Sequence, residues 1–555
     1  MAPIAFHLSG ESPAKGLEVD LEPLQNIEDL QKVLANAWSV VKPEGLGFNV
    51  DNVNVTDLAQ LRDAQSSVTV TVDGHSVRQV PGPSGLPLIG SYLEVYPDHL
   101  GNNQRLFDKY GDLFKANIMG KTNFFARDPE LAQIMFQESD WFSKEITTNH
   151  PLFPLKNDAA GVFVSSTSTP SWKVVHKFMP PALGPKAVRH YAPTMNACAR
   201  ESFPIFDQLG ERGEAWNGYQ YMLKLSSGTI GKVVLGQDMH HFDSIDAPLS
   251  RFVLGMAETL ALNKKVASRG EWYSWLPFGD AKRLKDVQAI VAEEINKAVK
   301  ESKSGGTEDL PLQDAALKST NLIDYFVRAV DGQGKHLPKE NLHAAVVVAA
   351  GAGFTTTSSL LGWLLYGLVT YPETQARLLQ ELVDVGFTDD TDVTPDMVEE
   401  MPVMDKYIKE MQRRHNPSYN PGRTAQKDMI LPGGYRMQKG DVVIPAIHHI
   451  HTNPNIWKDP DRFDPDRWDT EEVKNRHKAA YVPFATGQRM CIGFNFALLE
   501  VKVFLPHLVW RYHWDKEGES EAEYDPFFQL IRPINLYVKT TRRDVYPSKS
   551  WDRQT

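Results

Sequence analysis

Cys491 is one of two cysteines in a chain of 555 residues, and the residues around it make it the first place to look for chemistry. It stands in Phe484-Ala485-Thr486-Gly487-Gln488-Arg489-Met490-Cys491-Ile492-Gly493, after an apolar strand-like piece and ahead of the apolar run Phe494 to Trp510. That run predicts a helix. A cysteine just before a helix N-terminus meets unpaired backbone N–H groups and the positive end of the helix dipole, which favour the thiolate, the form that ligates a metal. Gly487 and Gly493 let the backbone approach a flat ligand, and Arg489 offers a cation to a buried carboxylate on it. An isolated cysteine is more often an inert core thiol, so the neighbours carry the argument.

Other residues have spacings that suit chemistry or support it. Ala352-Gly353-Phe354-Thr355-Thr356-Thr357-Ser358-Ser359 interrupts a long apolar run with hydroxyls. Such hydroxyls either bond to carbonyls four residues back or relay protons. Glu410 and Arg413 lie three apart, on one face of a helical segment, where they can pair. Phe463-Asp464-Pro465-Asp466-Arg467-Trp468 follows, while Trp172-Lys173-Val174-Val175-His176 stands upstream and Arg423 comes after Pro417 and Pro421.

The stretch from 342 to 369 is apolar almost all round and predicts a helix buried through the centre of a domain. From Asn102 onward helical spacing dominates, with strand-like pieces at 113–118, 428–430, 442–445 and 536–540, so the expected class is mainly α with small β-sheets. Residues 1–79 read differently. Gly16 to Leu21 and Ser67 to Val72 alternate like strands and Ile27 to Val41 has helical spacing, which predicts a small α+β amino-terminal module. Val80-Pro81-Gly82-Pro83-Ser84-Gly85-Leu86-Pro87 is a cluster of turn-forming residues, placing the boundary at 79/80 and a catalytic domain over 80–555.

Composition narrows the function classes. The formal net charge is −11, which gives no reason to expect a nucleic-acid partner. Two cysteines exclude a disulfide scaffold and suit a reducing compartment. The first residues carry many charges and lack a signal-peptide pattern, and no apolar run of bilayer length is read in the chain. A protein that is not secreted is expected, without a transmembrane anchor, in the cytoplasm or peripherally associated with the endoplasmic reticulum.

Taken together, the motifs resemble the cytochrome P450 monooxygenases over roughly residues 80 to 545. The resemblance implies the P450 fold and a haem b held by Cys491 as the iron's thiolate ligand, in a loop shaped by Phe484, Gly487 and Gly493. It implies propionate partners at Arg489, Trp172, His176 (where the family commonly has Arg) and Arg423, and a buried network of Glu410, Arg413 and Arg467. Thr356 matches the threonine beside bound O2. Thr355 stands where most members carry an acid, which leaves open how protons are delivered. Within the family the likeness is nearest to fatty-acid hydroxylases of the self-sufficient type. By that analogy Phe163, Ala352 and Phe354 line an apolar substrate pocket and Lys121 holds a carboxylate at its mouth.

Unlike the self-sufficient enzymes, the chain shows no flavin-binding domain after the cysteine, so NADPH–cytochrome P450 reductase or an equivalent separate donor is expected. The basic residues Lys173, Lys177, Lys186 and Arg189 are a candidate docking surface for it. The expected reaction inserts one atom of O2 into a mainly apolar small molecule, a fatty acid or a secondary-metabolite intermediate. Two alternatives stand beside it: a haem-thiolate enzyme that uses or rearranges peroxides, and a non-catalytic haem-binding sensor.

Overall fold

The computed structural model describes residues 3–302, 305–418, 420–518 and 522–550. By contacts the chain forms two compact units: one holds residues up to Val95, Gly101–His150 and Gly422–Pro445, the other Tyr96–Leu100, Pro151–Pro421 and Ala446 onward. The units do not divide at residue 79.

In the first unit, strands β1 (Ile4–Leu8), β2 (Leu17–Val19), β3 (Leu46–Val50), β4 (Val53–Val55) and β5 (Val68–Val72) form one sheet in the order β2-β1-β5-β3-β4. β1 and β5 pair in parallel and the other neighbours antiparallel. With helix α1 (Ile27–Trp38) this is the β-grasp arrangement. The alternation in β5 does what it predicts: Val68, Val70 and Val72 are buried while Thr69 and Thr71 are not. α1 begins where the Asn26 side chain accepts from the Asp29 N–H, with Glu28 and Asp29 complementing the helix dipole. It buries Leu30, Leu34 and Ala35 in a core with Phe6, Phe48 and Val70.

The same unit carries a second sheet in the order β7-β8-β16-β13-β9, from Leu113–Ile118 (β7), Lys121–Ala126 (β8), Phe142–Ser143 (β9), Arg423–Ala425 (β13) and Val442–Pro445 (β16). A third joins Met429–Leu431 (β14), Tyr435–Met437 (β15) and Arg78–Gln79 (β6).

The second unit is mainly helical, with only short strands: Trp216–Asn217 (β10), Leu310–Pro311 (β11), Ala329–Val330 (β12), Tyr512–Lys516 (β17), Glu523–Tyr524 (β18), Pro533–Ile534 (β19) and Tyr537–Arg542 (β20). Its helices include α2 (Pro170–Leu183), α3 (Lys339–Thr370), α4 (Pro402–Arg414) and α5 (Phe494–Arg511). α3 is the predicted central helix. It is long and apolar enough to cross a membrane, contrary to the expectation that no such segment exists, yet 67% of its apolar window is buried inside the protein. That burial marks it as a core helix. Trp363, Leu364 and Leu365 anchor it in one core with Val501 and Phe504 of α5.

Phe48 is fully enclosed and meets Phe6 edge to face, with centroids 6.1 Å apart. Phe48→Ala is expected to destabilise the first unit by about 3–5 kcal/mol, read as a lowered midpoint in urea. An unchanged midpoint would show that the module contributes nothing to that unit's stability.

Candidate active site

The cysteine loop is built by short backbone bonds. The Ala485 N–H donates to the Val482 carbonyl, Met490 to Gly487 (3.1 Å) and Cys491 to Phe484 (2.9 Å), with Gly487 at a φ of 77° that permits the turn. α5 starts at its N-cap Gly493, two residues past the cysteine, as the apolar run predicts. The Cys491 side chain is exposed, although dense protein surrounds it. That burial pushes its thiol up from the ordinary value, while the Gly493 backbone N–H pulls in the other direction. The helix terminus thus acts with the predicted sign, against the desolvation.

On α3 the hydroxyls bond backward, as helical Ser and Thr can. Thr355 Oγ1 donates to the Gly351 carbonyl (2.8 Å), Thr356 to Ala352 (3.1 Å) and Thr357 to Gly353 (2.8 Å). Burial separates them. Among residues 350–360, otherwise buried, Ala352 is exposed and Gly353 and Thr356 are partly open, positions that share one helix face. Thr355 is buried away from this stripe. Phe354 is fully buried and packs edge to face on Phe252 at 6.0 Å, so it is a core residue and not the pocket wall expected of it. Phe354 lies two positions before Thr356, so on a helix it points roughly 200° away from the open stripe, which is why nearness in sequence misplaced it.

Arg489, Trp172 and His176 do come together. The Arg489 guanidinium lies 5.8 Å from the Trp172 ring, and Trp172 and His176 sit 4.5 Å apart on α2. Arg489 also donates to the Val162 (2.9 Å) and Ser165 (3.0 Å) carbonyls and to Thr167 Oγ1 (3.2 Å), tying the cysteine loop to the turn that carries Phe163. Phe163 is 46% exposed, unusual for a large apolar side chain in so dense a region. The Trp172 indole N–H is buried with no hydrogen-bond partner, and a Cβ added at Gly493 would meet nothing within 4 Å. An orphan donor, an open cradle and an uncovered thiol fit a flat, anionic, iron-bearing group such as a haem.

Arg423 and Lys121 belong to the first unit. Arg423 is 1% exposed and its Nε and Nη2 have no hydrogen-bond partner; the nearest carboxylate, Glu138, is 3.8 Å away. Burial lowers its guanidinium to about 10. A cation buried with two idle donors fits an anionic ligand as well. Lys121 is buried at the start of β8 and not at a rim, against the expectation of a channel-mouth lysine.

The most complete constellation is that of Glu410. Its carboxylate takes a bidentate pair from Arg413 (2.9 and 3.0 Å), Nε of Arg467 (3.0 Å), the Asp464 N–H (3.0 Å) and the Trp468 indole N–H (3.2 Å). All the charges are buried, and each is compensated by the others. Trp468 is thus a member of the network, beyond the Glu410, Arg413 and Arg467 expected from the sequence. Arg413 also donates to the His451 carbonyl (3.0 Å), and the His451 Nε2 accepts from the Val482 N–H (2.9 Å). Asn416 bonds the Pro483 carbonyl and Tyr481 reaches Gln412, so the strand-like piece before the cysteine loop hangs from α4 and its neighbours. His451, Asn416 and Tyr481 carry no spacing signal that reveals this role.

Two expectations follow. Glu410→Ala leaves two buried guanidiniums unpaired and is expected to cost about 3–5 kcal/mol; a near-unchanged thermal midpoint would remove the network from the account. Burial lowers His415 and His451 to about 3 and His507 to about 4, so each folds neutral and binds protons on unfolding. Their stabilisation is present above about pH 6.5 and falls by ~1.4 kcal/mol per pH unit and per histidine as pH drops toward 4. Urea titrations at pH 7.5, 6 and 5 read that slope, and a flat profile would refute it.

The family description Cytochrome P450 matches residues 80–539. The chain is 42% identical over 549 residues, 98% of its own length and 99% of the other's, to cytochrome P450 monooxygenase alnD of Emericella nidulans, so that likeness spans the amino-terminal module too. Leukotriene-B4 omega-hydroxylase 3 of Mus musculus is 27% identical over 65% of this chain and 70% of its own. Among solved structures, the haem domain of a cytochrome P450DA mutant superposes with a TM-score of 0.73 at 25% identity, covering 84% of this chain and 98% of that one. This chain belongs to the cytochrome P450 family.

Proposed function

We propose that this P450 monooxygenase holds a haem b with Cys491 as the iron ligand and oxidises a mainly apolar molecule of the fatty-acid or secondary-metabolite class. The observation that carries the reading is the uncovered Cys491 thiol at the head of α5, with the open Gly493 cradle beside it. Arg489, Trp172 and His176, and separately Arg423, are the groups suited to hold the propionates. When bound, haem supplies activation of O2. The chain's own work is to present the thiolate, to orient the group and to hold a proton donor at Thr356 Oγ1, the hydroxyl on the open stripe of α3. Ala352, Gly353 and Phe163 offer apolar surface to substrate, in keeping with a hydrocarbon-rich ligand.

Electrons come in this reading from NADPH–cytochrome P450 reductase or an equivalent donor. Lys177 and Arg189 pair with Asp331 and Asp396, both at 2.7 Å, which leaves Lys173 and Lys186 as the better candidates among the four basic residues for contact with it. The cytoplasm, or the cytosolic face of the endoplasmic reticulum, suits the two unpaired cysteines. Exposed Trp272, Trp275 and Phe278 favour contact with a lipid surface. A second reading, use or rearrangement of a peroxide, draws support from Thr355, whose hydroxyl is spent on the Gly351 carbonyl where an acid is usual.

The test is the absorption spectrum of reduced, carbon-monoxide-treated protein, wild type beside Cys491→Ala. A thiolate-type Soret band that disappears in the variant is expected; its absence from haem-loaded wild type defeats the assignment. Thr356→Ala is expected to keep the band but lower reductase-driven product formation by about 100-fold. Full turnover of the wild type with peroxide, and none with reductase and O2, would favour the second reading.

A further inference from the structure

β13 and β16 lie side by side, with Arg423 opposite Val443 and Thr424 opposite Val442. In a tight hairpin the turn sets such a register, but here the two strands are joined by the long excursion 426–441, which has too much freedom to do so alone. Within it β14 and β15 form a small ribbon of three paired positions, a size that is marginal in water.

What gives the excursion its shape comes from the amino-terminal module. β6 adds to β15 as a parallel third strand. Ile430 is 2% exposed and sits in the module's own core, with Phe48 and Leu34. Its backbone is bonded twice: its N–H donates to the Ser39 carbonyl (2.9 Å), and the Val41 N–H donates to its carbonyl (3.0 Å). At the ribbon tip the Gly433 N–H donates to Asp73 Oδ2 (2.8 Å), and Arg78 Nε donates to the Gly433 carbonyl (3.1 Å). The Arg78 guanidinium lies 4.3 Å from the Tyr435 ring centroid, and Arg436 pairs with Glu11. Gly434 stands at a φ of 78°, and a Cβ there would meet the Ser76 carbonyl oxygen at 2.7 Å, so the two backbones touch. At the other end the Ala425 N–H donates to the Asp441 carbonyl and the Gly440 N–H to the Ala425 carbonyl, both at 2.9 Å, passing the ribbon's position directly to β13.

We infer that the amino-terminal module, residues 3–79, is a clamp on the 426–441 excursion that sets the register of β13 and thereby positions the Arg423 guanidinium. The inference rests on the proposed reading of Arg423 as a holder of haem. The module is a positioning element: it touches no reacting atom, and it acts on a buried arginine whose two idle donors need correct placement to be of use.

Full-length variants test it by two readouts: amide hydrogen exchange at Ala425 and the rate of haem transfer to apomyoglobin. Ile430→Asn and Arg436→Glu are each expected to speed both by about tenfold, ~1.4 kcal/mol. Glu11→Arg with Arg436→Glu is expected to restore both, which a general loss of fold would not do. In an Arg423→Ala background, Ile430→Asn is expected to add nothing further to haem release, since neighbours acting through one group are not additive. Wild-type exchange at Ala425 in a folded Ile430→Asn protein overturns the clamp, as does a haem-release effect that persists in full without Arg423. Should Arg423→Ala alone leave haem release unchanged, the haem reading of Arg423 fails while the exchange at Ala425 still decides whether the module sets the strand.

Discussion

A single buried carboxylate, Glu410, is the charge around which the second unit is organised. Ionised and out of water, it is tolerable only if every lone pair is used, and two guanidiniums, an indole and a backbone amide use them. Arg413 and Arg467 are in turn satisfied by carbonyls from His451, Lys458, Asp459 and Arg462. The result is a rigid joint between α4 and the segment that leads to the cysteine loop. Replacing it by apolar side chains could match its stability, but not its directional bonds.

From that joint the geometry passes outward by hydrogen bonds that need neutral or uncharged partners. His451 accepts from Val482 only while its Nε2 is unprotonated, and burial keeps it so. Arg489 then ties the far end of the loop to the turn at 162–167, and the Gly487 turn presents Cys491 at the head of α5. The loop is held at both ends by groups distant in sequence, which is how an irregular segment can present one thiol in a fixed place.

α3 shows the complementary constraint. A helix buried along nearly all its surface leaves small or hydroxyl side chains, Ala352, Gly353 and Thr356, where space is needed, and large ones, Phe354 and Trp363, where it is not. Here packing, more than hydrogen bonding, separates the open position from the enclosed ones: Thr355, Thr356 and Thr357 make the same backward bond, and only their direction differs.

The sequence by itself determined the family, the cysteine loop and the Glu410, Arg413 and Arg467 set, because these rest on local spacing and on residue types with few other uses. The helix of 342–369 and the α+β character of the first 79 residues were legible for the same reason, through the periods 3.6 and 2. Which side of α3 stays open, that Phe354 and Lys121 are buried, and that Trp468 donates to Glu410 were decided by tertiary packing, since a side chain's surroundings come from elements far away in sequence. The bonds of Ile430 to Ser39 and Val41 are the plainest case, with almost 400 residues between the partners. No pattern near either one announces the other; only the closed core of the folded module joins them.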